Sequence, residues 1–384
     1  MMNFRGNSWK KNLQPVNFKH IVMKKLSQFV FLISLMLLIT ACGVKYTITT
    51  KIFPDGSCLR VMTARLDSSN YHGNPFFIPI DSTWEQTVRM EQDTVKDDTY
   101  AVVTVQKKYS SVEEMNREFY NRDEISDTPK LTMRLTKKFQ WFYTKFKYEE
   151  TYIQQFPFRN FPLSNYYTQE EIEAYIYEDP VADSLFFLGK DSLEQKRIHE
   201  ELDKKGEEFV ADNIFEEFFL NLQKSSKKVS ISFFRDQDLD ELKSDMKKEL
   251  KPYLVKHIEG DADTTALQIL SRLDNYYGTK AFSELYSTDT TTFTMFNKKL
   301  EVDVSANYID DYEHTITLPG ILLNTNATQL VDGRPDWQFE ASMFVFCDYT
   351  MWAESKKTNK WAFVVTIVLI ILSFGMLLFR KRKK

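Results

Sequence analysis

Lys45-Tyr46-Thr47-Ile48-Thr49-Thr50-Lys51-Ile52-Phe53, followed by Pro54-Asp55-Gly56-Ser57 and then Cys58-Leu59-Arg60-Val61-Met62-Thr63, decides the fold class. β-Branched and aromatic residues fill the first run, Asp-Gly supplies a tight-turn signal, and the second run alternates back. The pattern predicts an antiparallel hairpin at the start of the body. Strand character continues to about residue 150. Thr87–Met90 and Tyr100–Val105 suit a second hairpin, with Lys96-Asp97-Asp98 between them. Ser111-Val112-Glu113-Glu114 is a capping-box pattern opening a short helix to Tyr120. Leu131, Met133 and Leu135, then Phe139, Trp141 and Tyr143, alternate with polar residues, so 131 to about 148 reads as a long strand or a hairpin.

The period turns helical from 151 to 290. Thr168-Gln169-Glu170-Glu171 is a second capping box. Ser192 to Lys205 reads as a charged helix stopped at Gly206, and Phe209, Ile214, Phe215, Phe218, Phe219 and Leu222 form an aromatic face on the next. Leu239, Leu242, Met246 and Leu250 follow at helical spacing before Pro252 disturbs the run. Leu267, Leu270 and Leu273 make a last stripe ending near Gly278. From Thr291 the pattern reads as strand again: Phe293, Met295, Phe296, then Leu300, Val302 and Val304. Thr315–Leu318 runs into Pro319-Gly320, Asp332-Gly333 is another turn, and Trp337–Phe346 is read as the last strand. The fold class expected is therefore α+β. A β-rich sheet domain is built from 43–150 and 291–355, with a helical insertion at 151–290 and one C-terminal transmembrane helix.

Both ends of the chain carry apolar runs. Phe29–Thr40 follows a basic stretch that holds Arg5, Lys10, Lys11, Lys19, Lys24 and Lys25 and no acid. At about twelve residues it is short for a bilayer span and fits a signal-peptide core, so 1–42 reads as a signal segment starting at Met1 or Met23. Trp361–Phe379 is uncharged, about 28 Å long as a helix, and followed by the basic tail 380–384. It predicts a membrane helix with the tail in the cytoplasm and the body in the periplasm. The chain has 50 basic and 54 acidic residues; both ends are purely basic, which leaves 38 against 54, net −16, for residues 43–357. A body this acidic repels phosphate backbones, so no nucleic-acid partner is expected.

Ile39-Thr40-Ala41-Cys42 resembles the lipobox of bacterial lipoproteins, whose cysteine is diacylated and becomes the new N-terminus. That resemblance makes Cys42 the lipidation site and membrane lipid a partner. The remaining Cys58 and Cys347 face an oxidising compartment, where one disulfide between them is open. The competing reading is two separate buried thiols. Lipobox, an early strand ending in Asp55-Gly56-Ser57, then Leu318-Pro319-Gly320, Asn326-Ala327, Asp332-Gly333 and Trp337 before a terminal apolar helix resemble the LppM-type bacterial lipoproteins. The chain is also similar in general plan to Bacteroidetes envelope lipoproteins. The resemblance implies a β-rich, membrane-anchored envelope domain and brings no catalytic residues.

Motifs for chemistry are scarce. His72, His199, His257 and His314 form no His-x-x-x-His or His-Glu-x-x-His pattern. Asp236-x-Asp238-x-Asp240 begins like a calcium loop but has Glu241 where glycine is needed and Lys247 at the twelfth position, so it reads as a helix start. Asp310, Asp311, Glu313 and His314 suit a solvated strand connection better than a divalent-ion loop. Neither phosphate-loop nor Gly-x-Ser-x-Gly patterns occur. No cofactor and no metal is expected. Phe, Trp and Tyr make up 15% of the chain, and Tyr152, Phe156, Phe158, Phe161, Tyr166 and Tyr167 crowd one segment. They pack as core or form a surface for a partner, glycan or lipid. The expected function is a non-catalytic, membrane-anchored scaffold or interaction module of the envelope with a protein partner; the alternative is a glycan- or lipid-binding module using 152–167.

Overall fold

A computed structural model describes residues 44–93, 98–120, 129–177, 180–229, 232–235, 238–258, 265–302 and 310–382. The strands are β1 (Lys45–Ile52), β2 (Cys58–Asp67), β3 (Glu85–Asp93), β4 (Asp98–Tyr109), β5 (Lys130–Gln140), β6 (Tyr143–Ile153), β7 (Asp311–Thr317), β8 (Ile321–Thr325), β9 (Gln329–Val331), β10 (Arg334–Glu340) and β11 (Tyr349–Thr358). The longer helices are α1 (Val112–Tyr120), α2 (Ser192–Lys228), α3 (Leu239–Ile258), α4 (Ala266–Tyr277), α5 (Ala281–Thr288), α6 (Thr290–Leu300) and α7 (Lys360–Arg382).

The opening hairpin forms as its residues dictate. Phe53 N–H donates to Ser57 O at 2.8 Å, and the Asp55 carboxylate accepts from Ser57 N–H at 3.0 Å. β1 and β2 then pair antiparallel from Ile52↔Cys58 to Lys45↔Arg65. The other edge of β1 pairs parallel with β7, which brings residues 45 and 311 together. The full order is β3-β4-β2-β1-β7-β10-β9. A second sheet has the order β5-β6-β11-β8. Strands from before and after the helices thus share both sheets, so the expected single sheet is in fact two. Ile48, Met62, Val103 and Val105 from one and Leu131, Tyr148, Tyr152 and Met351 from the other belong to one core. A second core is helical: Phe209, Phe215 and Phe218 of α2 pack with Met246 and Leu250 of α3 and Phe293 and Phe296 of α6. Each such fully buried side chain contributes roughly 1.5–3 kcal/mol.

Four expectations need correction. Thr291–Phe296 is helical, not extended, because Phe293 and Phe296, three apart, lie against Phe218; tertiary burial overrides the strand preference of the threonines. Gly206 does not stop a helix. α2 runs through it, and a Cβ there would meet the Tyr167 hydroxyl at 2.9 Å, so glycine admits the tyrosine rather than ending the turn. Trp337–Phe346 is strand only to Glu340 and then 3-10 helix. The last strand is β11, whose Met351, Ala353 and Ser355 point inward from a run that looked merely polar.

The fourth correction concerns the C-terminal end. No helix among the described residues is long and apolar enough to cross a membrane, so the transmembrane helix 361–379 is not supported. The segment is helical as α7, but its first turns are committed to the β5–β6 hairpin. Trp361 stacks on Phe139, Phe363 meets Phe142, and Trp141 donates its indole N–H to Thr366 Oγ1 at 2.8 Å. The argument for a cytoplasmic tail falls with the transmembrane helix. α7 also leaves the body at the pole opposite Val44. Tyr152 and Tyr349, paired in β6 and β11, lie with Tyr312 at the start of β7, whereas Lys137, near the hairpin tip, donates to Asp55 O in the β1–β2 turn. The length of β1, about 26 Å at the usual rise, separates the two levels.

Gly320 (φ +91°) and Gly333 (φ +73°) both occupy the left-handed region. An added Cβ at Gly320 would come within 2.7 Å of Lys357 Cα, while at Gly333 nothing lies within 4 Å. Gly333→Ala should therefore cost about 1–2 kcal/mol, the left-handed penalty alone, and Gly320→Ala clearly more, because β8 must part from β11. Urea melts of the two variants check this; equal losses would show that the close approach at Gly320 does not exist.

Candidate functional site

The period-2 pattern of four strands carries four polar residues to the interior. Arg60 lies between Cys58 and Met62 on the inward face of β2, Thr50 between Ile48 and Ile52 on β1, Glu150 between Tyr148 and Tyr152 on β6, and His314 between Tyr312 and Ile316 on β7. All four are fully buried. The Arg60 guanidinium spans the gap between the sheets and donates twice to Glu150, at 2.9 and 2.8 Å. It also donates to Thr50 Oγ1 at 2.5 Å, and Tyr148 O–H donates to Glu150 at 2.8 Å. His314 Nε2 lies 3.0 Å from Thr50 Oγ1 and 3.2 Å from Arg60 Nη1. Facing a cation, that nitrogen must be the bare acceptor. The ring proton then sits on Nδ1, which has no partner.

Burial raises the Glu150 carboxyl, but Arg60 overcomes this and holds it below the ordinary carboxylate range. Burial pushes His314 down to about 3, with the Arg60 charge adding to it and Glu150 opposing. The group set looks like a proton relay, yet its complete enclosure leaves no path for a substrate.

A cavity of about 300 Å³ lies elsewhere, where the helical layer meets the connection between β10 and β11. Its wall comprises Leu163, Tyr167, Tyr175, Phe209, Val210 and Phe346, with Asp203, Glu207 and Ser342 as polar lining. Tyr167 and Tyr175 stand nearly parallel, ring centres 6.3 Å apart. Tyr167 O–H donates to Leu202 O at 2.6 Å and Tyr175 O–H donates to the Asp203 carboxylate. The size is at the small end of ligand pockets, and the place, between two packed units, is where such pockets concentrate.

The aromatic segment does not form an open surface. Tyr152, Phe156, Phe158 and Tyr167 are buried, and Phe161 and Tyr166 are half-buried. Tyr152 belongs to the sheet core, whereas Phe156, Phe158 and Tyr167 belong to the helical core; Tyr167 alone of the six reaches the cavity wall. Cys58 and Cys347 are free thiols. Cys58 lies in the sheet core beside Met115, and Cys347 lies against Tyr177 at the helical core, so the open disulfide is not formed. Cys42 lies outside the described residues. Asp310, Asp311, Glu313 and His314 are split by strand alternation: Asp310 and His314 face inward, Asp311 and Glu313 outward. Among the described residues no His, Cys, Asp or Glu group is placed to hold a metal ion. Asp238 caps α3 through Asp240 N–H and Glu241 N–H.

Arg60 and Glu150 escaped the sequence reading, although alternation placed both among apolar neighbours. A charged residue in phase with the inward face was the signal. No protein-family model, no curated protein and no solved structure matches this chain.

The unfolded chain takes up the His314 proton near 6.5, the folded chain only near 3. Acidification below 6.5 therefore favours the unfolded state, approaching about 1.4 kcal/mol per pH unit. Denaturant midpoints from pH 7 to 5 should fall accordingly and flatten in His314→Gln. An unchanged slope in that variant would mean that His314 is not the sealed group described.

Proposed function

We propose that the chain is a non-catalytic bacterial envelope lipoprotein, an interaction module whose body is held against the periplasmic face of a membrane by acyl chains on Cys42. The observation that carries this reading is how the backbone of Val44 is held. Val44 N–H donates to the buried Asp310 carboxylate at 3.0 Å, and Val44 O accepts from Asp311 N–H at 3.1 Å. Gly43 alone separates the lipobox cysteine from Val44, whose backbone these long-range bonds hold. Two residues reach about 7 Å at most. An acylated Cys42 would press a rigid body onto the headgroups instead of trailing it on a tether, and would present a defined opposite pole to a protein partner. The sealed Arg60 cluster favours the non-catalytic reading, since the most relay-like groups serve packing. At the far pole, α7 exposes Phe374 and Met376 among other apolar side chains, a surface suited to an apolar protein contact.

The second reading is a ligand-binding module, and the cavity beside Tyr167 favours it. A glycan platform on 152–167 has no support in an arrangement that buries those rings.

Metabolic labelling with a palmitate analogue tests the anchor. Label on the wild-type chain, lost in Cys42→Ser together with release of the body into the soluble fraction, is the expected outcome. An unlabelled wild-type chain would refute it.

A further inference from the structure

The cavity beside Tyr167 has features that name a ligand class. Its body is apolar: Leu163, Ile176, Phe209, Val210 and Phe346 supply aliphatic and aromatic wall. Two tyrosine rings stand nearly parallel at its side. The polar lining is unbalanced in charge. Asp203 and Glu207 both contribute carboxylates. The nearby cation, Lys205, is taken by Glu171 at 2.7 Å while lying 6.0 Å from the Tyr167 ring. Glu207 has no hydrogen-bond or ion-pair partner among the described residues, and Asp203 accepts only the neutral Tyr175 hydroxyl there. Ser342 adds an independent sign of a missing occupant. It lines the cavity, is 4% exposed, and its Oγ has no partner, whereas buried hydroxyls are nearly always bonded.

We propose that this cavity binds a small organic cation, an amine or quaternary ammonium carried on an apolar body. The apolar part fills the space between Phe209, Val210 and Phe346. The positive head lies toward Tyr167 and Tyr175, whose ring faces attract it, and toward the Asp203 and Glu207 carboxylates. A neutral ligand of the same shape gains the apolar contact but not the charge, and an anion is repelled. This deepens the ligand-binding reading and is independent of Cys42 acylation.

The test is calorimetric titration of the full chain with benzyltrimethylammonium, benzyl alcohol and benzoate, with buffer dilution subtracted. Saturable one-to-one binding of the cation is expected, at least tenfold tighter than the alcohol and with no benzoate binding. The surface double variant Asp203→Asn/Glu207→Gln should lose at least tenfold for the cation and leave the alcohol unchanged. Val210→Trp, with its melting curve as a folding check, should abolish both. Equal affinity for cation and alcohol, or no effect of the double variant, overturns the cation assignment while leaving a ligand pocket standing. No saturable binding of any probe at millimolar concentration overturns the pocket as well. The same cation affinity in Cys42→Ser would show that anchoring and binding stand on separate evidence.

Discussion

The bidentate contact between Arg60 and Glu150 is the constraint on which the arrangement of the two sheets depends. Arg60 comes from the seven-stranded sheet and Glu150 from the four-stranded one, and both are fully enclosed. Removing such a pair from water costs several kcal/mol per ion, which is offset only when geometry and hydrogen bonding are nearly complete. Here Thr50, Tyr148 and His314 complete the carboxylate and guanidinium shells, apart from the orphaned Arg60 Nε. Apolar side chains alone would be buried equally well at several slides of one sheet over the other. We read the pair as the device that selects one register, because only there do both charges find partners.

That register sets the poles of the body. With β6 and β11 held antiparallel across β1 and β7, Val44 emerges at one end and Asn359 at the other. Asn359 ties itself to the hairpin tip through Gln140 O and Phe142 O, so α7 starts from a fixed base. The helical layer follows β6 and precedes β7, at the Val44 end of the strands. Its junction with the sheet connection at Ser342 and Phe346 leaves a cavity that combines aromatic wall with carboxylates.

Much of this fold was legible in the chain. The Asp55-Gly56 turn marked the first hairpin, and Thr168 caps its helix with a reciprocal box as its spacing implies. Gly278 ends α4 in the left-handed conformation. The misreadings share a cause, which is that local preference yields to distant contact. Thr290, Thr291 and Thr292 favour strand, but Phe218 across the helical core makes the 293–296 spacing decisive. β11 carries Glu354, Ser355, Lys356 and Lys357 and lies beyond the strand read as the last; one of its pairing partners, β6, is some 200 residues earlier. The apolar run after Trp361 signalled helix, which it is; its commitment to Phe139 and Phe142 could not be read locally. The cavity was out of reach for the same reason, since Tyr167, Glu207 and Ser342 meet only in space. The polar cluster was within reach, because four residues in phase with an apolar face are visible in the alternation.

A double-mutant cycle on the sheet-bridging pair is the most direct measurement. Urea unfolding of Arg60→Met, Glu150→Leu and the double variant gives the coupling energy. Each single variant strands one buried charge and should cost about 3–5 kcal/mol, while the double variant should regain most of that loss. Additive losses within about 0.5 kcal/mol would contradict the account, because Arg60 and Glu150 would then not be joined across the sheets.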